Sequence, residues 1–375
     1  MVEWKKLGEV ISVHTGGQLN RNDMIEDGLY PVVNGGRDYS GYTNSYNEKA
    51  NSITISQGGE SAGYVNWIIT NFWAGAHCYV IEDNGSINKR YLFHTLKNKE
   101  RDLQQSKQGA GIPGLNRNTL YKLNIPIPSL SEQQRIVGIL DTFTASIDNL
   151  KEQIALRRKQ YNWLLDKLYY SNKAELLKAK ESGNVDVKTL DEIGTFIRGK
   201  RFVRTDVVPE GVPCIHYGDM YTYYGVWAEK TPTHLTKEVA EKLRFAQKGN
   251  VIIVGAGEND IDIGVGVAWL GDEDVVVHDA CYIFKHDMNP KYLSYFMRSM
   301  NYHLQIRMGV VDGKICSISA KELGRTLIPV PSLPEQQRIV SILDTFEASI
   351  QNLEAQLKQR EKQYEYYRNK LLTFE

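Results

Sequence analysis

The chain has 375 residues, of which 42% are hydrophobic and 24% are charged, a composition typical of a folded protein with about two or three domains. No apolar run approaches the roughly 20 residues that span a bilayer, and the N-terminus lacks the apolar core of a signal peptide, so we expect a cytoplasmic protein. Lysine plus arginine equals aspartate plus glutamate, 45 each, which argues weakly against nucleic-acid binding. The four cysteines form no C-x-x-C pair, so we expect reduced thiols and neither a disulfide framework nor a zinc site.

Residues 1–128 form the first of two variable regions. Short β-branched and aromatic runs such as "NSITIS" and "CYVIE" predict strands, and "NKRYLFHTLKNKERDLQQ" predicts a helix. Loops of tyrosine, asparagine, serine and glycine, such as "NGGRDYSGYTNSY", separate the strands. We expect a mixed, mainly β domain whose loops form either a polar recognition surface or an ordinary solvated surface.

Residues 129–172 are predicted to form one long helix. The segment "PSLSE" is typical of an extended entry followed by a first helical turn that carries glutamate. Beyond it, seam residues recur with alternating steps of four and three, which is the heptad period of a coiled coil. These residues are Ile136, Leu140, Phe143, Ile147, Leu150, Ile154, Arg157, Tyr161, Leu164 and Leu168.

Residues 173–186 are predicted to be a polar linker, and residues 187–331 a second mainly β domain. Two of its motifs resemble catalytic signatures and fail. In "GTFIRGKR" an arginine occupies the position where a phosphate-binding loop needs a hydroxyl, and "VIIVGAGENDIDIG" continues as a strand instead of opening a helix. The cationic stretch "RGKRFVR" is either a phosphate contact or a solvated loop. "VVHDACY", with His278, Asp279 and Cys281, is a poor metal-ligand cluster because it lies in a strand-like run.

Residues 332–375 repeat the long helix. At an offset of 203, residues 125–161 align with residues 328–364, and 26 of the 37 pairs are identical. The second seam keeps the register of the first: Ile339, Leu343, Phe346, Ile350, Leu353, Leu357, Arg360, Tyr364, Tyr367 and Leu371. The chain is therefore a tandem duplication of a variable domain and a near-constant helix.

Two matching seams in one chain are most simply satisfied by packing on each other, and the short linker favours an antiparallel pair. Each helix is about 48 Å long from the first to the last seam residue, at roughly 1.5 Å per residue. This length corresponds to on the order of 14 base pairs, at about 3.4 Å each. We expect an α+β protein in which two mainly β domains lie at opposite ends of an antiparallel coiled coil with pseudo-two-fold symmetry. The arginine in each seam either fixes the register or lays its stem along the seam with its head in solvent.

The doubled segments "IPIPSLSEQQRIVGILDTFTASIDNL" and "IPVPSLPEQQRIVSILDTFEASIQNL" resemble the two conserved segments of type I restriction-modification specificity subunits, and the resemblance extends over the whole chain. It implies that each variable domain is a target-recognition domain for one half of a bipartite, asymmetric DNA site. It also implies a non-catalytic chain that binds two methyltransferase subunits and, in some systems, two restriction subunits. S-adenosylmethionine, and ATP with Mg²⁺, would then be bound by those partners, which methylate adenine and cleave DNA.

The resemblance implies that certain loop residues contact DNA and that certain helix residues contact partner subunits. Amide, guanidinium and phenol groups on the loops are the expected DNA contacts: Arg37, Tyr39, Gln57, Ser61, Asn116, Arg117, Arg198, Lys200, Arg201, Arg204, Tyr217, Tyr221, Tyr224 and Lys314. The openings of the two helices are the expected partner contacts, or else simple helix caps: Glu132, Gln133, Gln134, Arg135, Glu335, Gln336, Gln337 and Arg338. The alternative from another class is a coiled-coil scaffold with two β domains that bind protein or glycan.

Overall fold

A computed structural model describes residues 2–107, 113–258 and 260–374, without the side chain of Tyr221. The chain divides into two compact units, and each contains one β domain with part of both long helices. Unit 1 comprises residues 1–152 and 354–375, and unit 2 comprises residues 153–353. The domain boundaries predicted from the sequence lie at the ends of the repeated segments. The boundaries between the two compact units lie within the two long helices.

Unit 1 has a four-stranded sheet, a three-stranded sheet and a two-stranded ribbon. Its strands are β1 (Glu3–Lys6), β2 (Ile11–Thr15), β3 (Tyr30–Val33), β4 (Gly41–Thr43), β5 (Ser52–Ser56), β6 (Val65–Ile68), β7 (Trp73–Ala74), β8 (Cys78–Asp83) and β9 (Asn124–Ile127). The antiparallel main sheet has the order β2-β8-β5-β6, the second sheet β4-β3-β7, and β1 pairs with β9. The helices are α1 (Lys89–Asn98), α2 (Glu100–Gln105), α3 (Arg117–Tyr121) and the long α4 (Leu130–Leu168), which continues into unit 2.

Unit 2 repeats this plan with additional strands. Its strands are β10 (Val187–Thr189), β11 (Gly194–Arg198), β12 (Val207–Val208), β13 (Val212–Ile215), β14 (Trp227–Ala228), β15 (Thr233–Leu235), β16 (Phe245–Ala246), β17 (Val251–Val254), β18 (Ala256–Gly257), β19 (Gly266–Trp269), β20 (Val275–Val277), β21 (Cys281–His286), β22 (Cys316–Ser317) and β23 (Leu327–Pro329). The main sheet has the order β11-β21-β17-β19-β14, so its first four strands match the main sheet of unit 1. The second sheet runs β12-β15-β13-β20-β16, and β10 pairs with β23 and β18 with β22.

The helices of unit 2 are α5 (Lys173–Glu181), α6 (Leu190–Ile193), α7 (Asp219–Thr222), α8 (Lys237–Ala240), α9 (Pro290–Phe296), α10 (Met300–Ile306), α11 (Ala320–Gly324) and the long α12 (Leu333–Leu372), which ends in unit 1. Short 3-10 helices occur at Leu7–Glu9, Arg21–Asp23, Arg204–Asp206, Asp260–Asp262 and Arg307–Gly309. The expected α+β class, with mainly β domains and two long helices, is confirmed.

The structure differs from the sequence-based elements in two places. The helix predicted at "NKRYLFHTLKNKERDLQQ" is broken into α1 and α2. The corresponding segment of unit 2 is divided into α9 and α10 at Ser299, whose hydroxyl caps α10 by accepting from the Tyr302 N–H. The predicted linker at residues 173–186 contains α5, which Asn172 caps and which buries Leu176 completely. The linker is therefore partly helical, because the good helix formers of "KAELLKAKE" follow an N-cap and place one leucine in the interior.

The two long helices pair antiparallel. In unit 1 the first part of α4 packs on the last part of α12, and Phe143 stacks on Tyr367 with ring centroids 5.3 Å apart. In unit 2 the last part of α4 packs on the first part of α12, where the Tyr161 hydroxyl donates to Glu347 over 3.2 Å. Because each helix is continuous, this order of contacts requires opposite directions.

The guanidinium groups of the two seam arginines lie over aromatic rings and do not extend freely into solvent. The guanidinium carbon of Arg360 lies 5.7 Å from the centre of the Phe143 ring in unit 1. In unit 2, Arg157 lies 5.5 Å from the Phe346 ring in the same way. Each arginine therefore covers the aromatic seam residue of the opposite helix, a cation–π contact that is tolerated at a seam because the charged group stays partly exposed.

The structure buries or half-buries every seam residue from Ile136 to Tyr161 and from Ile339 to Tyr364. Past these residues the heptad fails. Leu165 and Leu372 are the buried leucines, while Leu164 and Leu371 are only half-buried, and Tyr367 is 40% exposed although it stacks on Phe143. An α-helix has 3.6 residues per turn, so its buried stripe drifts from a 3.5-residue period, and the last turns pack into a β domain as well as on the other helix.

All four cysteines are buried free thiols, and burial raises the pKa of Cys78 and of Cys281 to about 12. Such thiols are unreactive near neutral pH.

Within the described ranges, no helix combines the length and the apolar character needed to cross a bilayer.

Candidate functional site

In unit 1, two loops meet at the end of the central strand β5. Gly58 forms an isolated β-bridge with Gly114, the Gly59 N–H donates to the Pro113 carbonyl over 2.9 Å, and the Leu115 N–H donates to the Gln57 carbonyl over 2.7 Å. Gly59 has a φ of +77°, which a residue with a side chain rarely adopts. The backbone therefore fixes the loop after β5 against the loop before α3.

These loops and their neighbours carry the candidates of unit 1. The Arg37 guanidinium lies 5.7 Å from the Tyr64 ring, and the Arg117 guanidinium lies 5.8 Å from the Tyr79 ring. Asn116 is exposed, but its side chain caps α3 by accepting from the Asn118 N–H. Of the remaining candidates, Tyr39 is exposed and Gln57 and Ser61 are half-buried.

In unit 2, the same place in the repeat holds the ribbon of β18 and β22, beside a pocket of about 700 Å³. The pocket brings together three candidates that are far apart in the sequence, Arg198, Tyr217 and Lys314. Carboxylate and imidazole groups from Glu258, His278 and Asp279 complete its polar lining. Loop convergence at the end of the main sheet is thus a feature of both units, but the side chains differ.

The cationic stretch after β11 has mixed roles. The Lys200 ammonium donates to the Lys242 carbonyl over 2.8 Å, and the Lys200 N–H donates to the Val277 carbonyl over 3.1 Å, so Lys200 links the stretch after β11 to two distant segments of unit 2. Arg201 and Arg204 are exposed and available for contact. Arg244, which the sequence pattern did not single out because it lies 40 residues downstream of Arg204, donates to the Arg198 carbonyl.

One tyrosine candidate of unit 2, Tyr224, does not line the pocket. Tyr224 packs against the core, its hydroxyl is shielded from solvent, and burial raises its pKa well above the usual value. This placement contradicts a direct DNA contact by Tyr224, because local aromatic composition does not reveal which face of a loop is buried. Tyr221 belongs to α7, but its side chain lies outside the described residues.

Beside the pocket, Tyr217 joins an aromatic cluster that the sequence did not reveal. Its ring lies 4.5 Å from the His216 ring and 5.6 Å from the His278 ring. His278 donates from Nε2 to the Phe202 carbonyl and accepts at Nδ1 from the Ala280 N–H, and burial lowers its pKa. His278 therefore supports the loops, and its Nδ1 also lies 3.1 Å from the Asp279 carboxylate. In the described part of the chain, no three histidine, cysteine or acidic side chains are grouped to hold a metal ion.

The openings of the two long helices are alike, but only some of their side chains are accessible. The Gln133 side chain accepts from the Asn88 N–H over 2.8 Å and donates to the Pro128 carbonyl over 2.9 Å. Gln336 does the same with Asn289 and Pro331, over 2.9 and 2.8 Å. Both glutamines are at most 2% exposed. They therefore connect each helix to its own β domain, and their burial contradicts the predicted role of both as partner contacts.

The neighbouring charged residues remain on the surface. Glu132 and Arg135 form a two-bond ion pair at 2.8 and 2.7 Å, and Glu335 and Arg338 repeat it at the same distances. Exposed pairs of this kind stabilise a fold very little. Gln134 is exposed, and so is Gln337, which also accepts from the Asn289 side chain.

A partly buried polar network joins each β domain to its helices. In unit 1, His94 donates from Nε2 to Asp141 over 2.8 Å and accepts at Nδ1 from the Tyr364 hydroxyl over 3.0 Å, while the Arg90 Nε donates to Asp141 over 2.7 Å. Burial lowers the pKa of His94 against the opposing effect of Asp141. Burial by itself would raise the pKa of Asp141, but the hydrogen bonds from His94 and Arg90 outweigh it and lower that pKa.

Unit 2 repeats the network with different chemistry. There the Tyr295 hydroxyl donates to Asp344 over 2.7 Å, and the Lys291 ammonium donates to the same carboxylate over 2.5 Å. Tyr295 occupies the place of His94, so only unit 1 has a titratable imidazole in this position.

We expect His94 to make the stability of the chain depend on pH. Its folded-state pKa lies below the unfolded value of about 6.5, so the unfolded chain binds the proton more readily and stability falls as the pH falls below about 6.5. One proton corresponds to at most about 1.4 kcal/mol per pH unit. Urea unfolding between pH 7.5 and 5.0 should show this decrease.

His94→Tyr, which copies unit 2, should make the pH dependence shallower, by at most one proton. Part of the slope should remain, because burial also lowers the pKa of His216, His278, His286 and His303 in unit 2. An identical slope in the variant and the parent would contradict the assignment.

Comparisons with known proteins agree with this architecture. The model of a family described as the type I restriction modification DNA specificity domain matches residues 1–157 and 182–361. A putative type I restriction enzyme specificity subunit from Haemophilus influenzae is 27% identical over 405 residues, covering 100% of this chain and 96% of that protein. The EcoR124I/EcoR124II specificity subunit of Escherichia coli is 27% identical and covers 100% and 94%.

A solved structure gives the same fold. The crystal structure of a type I restriction-modification S subunit from M. genitalium superimposes with a TM-score of 0.63 at 20% identity, covering 100% of this chain and 97% of that one. With a family model that matches both repeats and this common fold, the chain belongs to the family of type I restriction-modification DNA specificity subunits, and its function is sequence-specific DNA recognition.

Proposed function

We propose that this chain is the non-catalytic specificity subunit of a complex that methylates adenine in a bipartite, asymmetric DNA site. The loops of each unit bind one half-site, and the paired long helices set the length of the unread spacer. One observation carries the proposal: both units fix equivalent loops at the same end of the main sheet, yet the side chains differ, whereas the helix openings repeat the same hydrogen bonds and ion pairs.

Different loops are required to read two different DNA sequences. Exposed Arg37 and Arg117 in unit 1, and Arg201, Arg204 and Lys314 in unit 2, supply cations for phosphate and base contacts. The zero net charge means that these cations are balanced elsewhere on the chain. DNA binding by the chain alone is therefore expected to be weak and dependent on salt.

Repeated helix openings are required to bind two copies of one partner. We propose that two methyltransferase subunits bind the exposed pairs Glu132–Arg135 and Glu335–Arg338, together with the adjacent Gln134 and Gln337. S-adenosylmethionine would be bound by those subunits, and ATP with Mg²⁺ by two restriction subunits where the system has them. Because the target is DNA, we place the complex in the cytoplasm.

Methylation mapping tests the proposal. The chain is expressed with its methyltransferase partner in a host without other adenine methylation, and modified adenines are located by genome sequencing. We expect one motif composed of two short specified parts separated by a fixed unspecified spacer, and we expect that motif to disappear when the gene for this chain is deleted. Methylation that persists without the chain, or a continuous motif, would contradict the proposal. The sequence-based scaffold alternative predicts no motif at all.

A further inference from the structure

We propose that Arg198 determines specificity by recognising a guanine in the half-site bound by unit 2. The inference rests on the proposed function and adds the identity of one base and the residue that reads it. It starts from the geometry of the pocket beside β18 and β22.

Arg198 is held by the protein in a defined orientation. It is the last residue of β11, paired with Tyr282 of β21, and its backbone carbonyl accepts from the Arg244 guanidinium. Its side-chain Nε donates to the backbone carbonyl of Asp279 over 2.8 Å. The Nη1 and Nη2 groups make no hydrogen bond to any residue in the described ranges, although the side chain lines the pocket. One edge of the guanidinium is therefore fixed and the other is available.

A fixed guanidinium with a free two-nitrogen edge matches the O6 and N7 acceptors of guanine in the major groove. A phosphate also accepts two hydrogen bonds from arginine. However, the pocket contains the carboxylates of Asp279 and Glu258, which repel a phosphate but can accept from an exocyclic amine of a base. With Lys314 also in the lining, two cations face two acidic residues, and this mixed lining suits the donors and acceptors of a base edge better than a phosphate. We expect the exposed Arg201 to contact the DNA backbone.

Unit 1 lacks this group at the equivalent place. Thr15 ends β2 and pairs with Tyr79 of β8, as Arg198 ends β11 and pairs with Tyr282 of β21. The repeat aligns Cys281 of unit 2 with Cys78 of unit 1. The third and second residues before the cysteine are His278 and Asp279 in unit 2, but Gly75 and Ala76 in unit 1. A hydroxyl cannot make the two parallel bonds of a guanidinium, so the inference applies to one half-site only.

The test uses the full chain assembled with its methyltransferase partner. After the motif has been mapped, binding is measured by fluorescence anisotropy to a set of duplexes that carry each single base change in both half-sites. For the parent complex we expect one guanine in the unit 2 half-site to be preferred by about 5- to 150-fold over other bases. Arg198→Ala should abolish this preference and leave the other positions, and the whole unit 1 half-site, unchanged.

Two further variants separate base recognition from phosphate contact and from misfolding. Arg198→Lys keeps the positive charge but lacks the planar fork, so it should reduce the guanine preference and preserve the salt dependence. Arg201→Ala should weaken binding to all duplexes about equally and make the salt dependence shallower.

The outcomes distinguish the two levels of the proposal. If Arg198→Ala weakens all duplexes equally, or keeps every base preference, Arg198 does not read a base and the inference is wrong. The same holds if Arg198→Lys behaves like the parent at every position. If the parent complex itself shows no bipartite preference, the proposed function fails instead.

Discussion

Gln133→Ala is expected to lower the free energy of unfolding by about 2–4 kcal/mol, although glutamine is usually a surface residue. The substitution removes the partners of the Asn88 N–H and the Pro128 carbonyl. Each shielded backbone group left without a partner costs about 1–3 kcal/mol. Urea unfolding of the full chain measures the loss, and Gln336→Ala should behave alike in unit 2.

Gln134→Ala is the matched control. Gln134 is the next residue in the sequence and has the same side chain, but it is exposed, so its removal should change stability by less than about 0.5 kcal/mol. Gln133→Ala should still bind the methyltransferase at temperatures where it is folded, whereas Gln134→Ala removes one of the proposed partner contacts and should weaken that binding. If Gln133→Ala were as mild as Gln134→Ala and abolished partner binding, Gln133 would be a partner contact after all.

Addition of the methyltransferase partner is expected to raise the affinity of the chain for its DNA site by about 10²- to 10⁴-fold. The physical reason is that partners bound to the chain contact the same duplex, so their contacts form at high effective concentration. The isolated chain has no net charge and holds DNA only through local cations. Fluorescence anisotropy at one fixed salt concentration, with and without partner, measures the ratio.

A double charge reversal provides the control for this experiment. Glu132→Arg with Glu335→Arg breaks both exposed ion pairs. The two substitutions alter both proposed methyltransferase contacts and leave the DNA-binding loops unchanged. Weak binding by the chain alone should be unchanged, while the increase on adding partner should be lost. Equal affinity of the parent chain with and without partner would disprove the dependence on a partner.

The amino-acid sequence alone determined the duplication and the two long helices, because these depend on a repeated pattern. The short linker favoured their antiparallel pairing without determining it. A heptad seam can be recognised in the sequence wherever the same face of the helix stays buried. The 26 identities in 37 aligned positions show that the two seams share one register. The pattern lost accuracy beyond Tyr161 and Tyr364, where burial moved to Leu165 and Leu372 because the helix ends also pack into β domains.

Only the tertiary structure decided which polar residues face solvent. Adjacent glutamines in "EQQR" are indistinguishable by composition, but one faces the β domain and the other faces out. Tyr217 and Tyr224 lie in one loop region and both pack against the core, yet Tyr217 lines the pocket and Tyr224 does not. Arg198, Asp279 and Lys314 come together because sheet pairing joins β11 to β21 and a ribbon joins β18 to β22. Periodicity describes one element at a time, whereas a recognition pocket depends on contacts between elements that are far apart in the sequence.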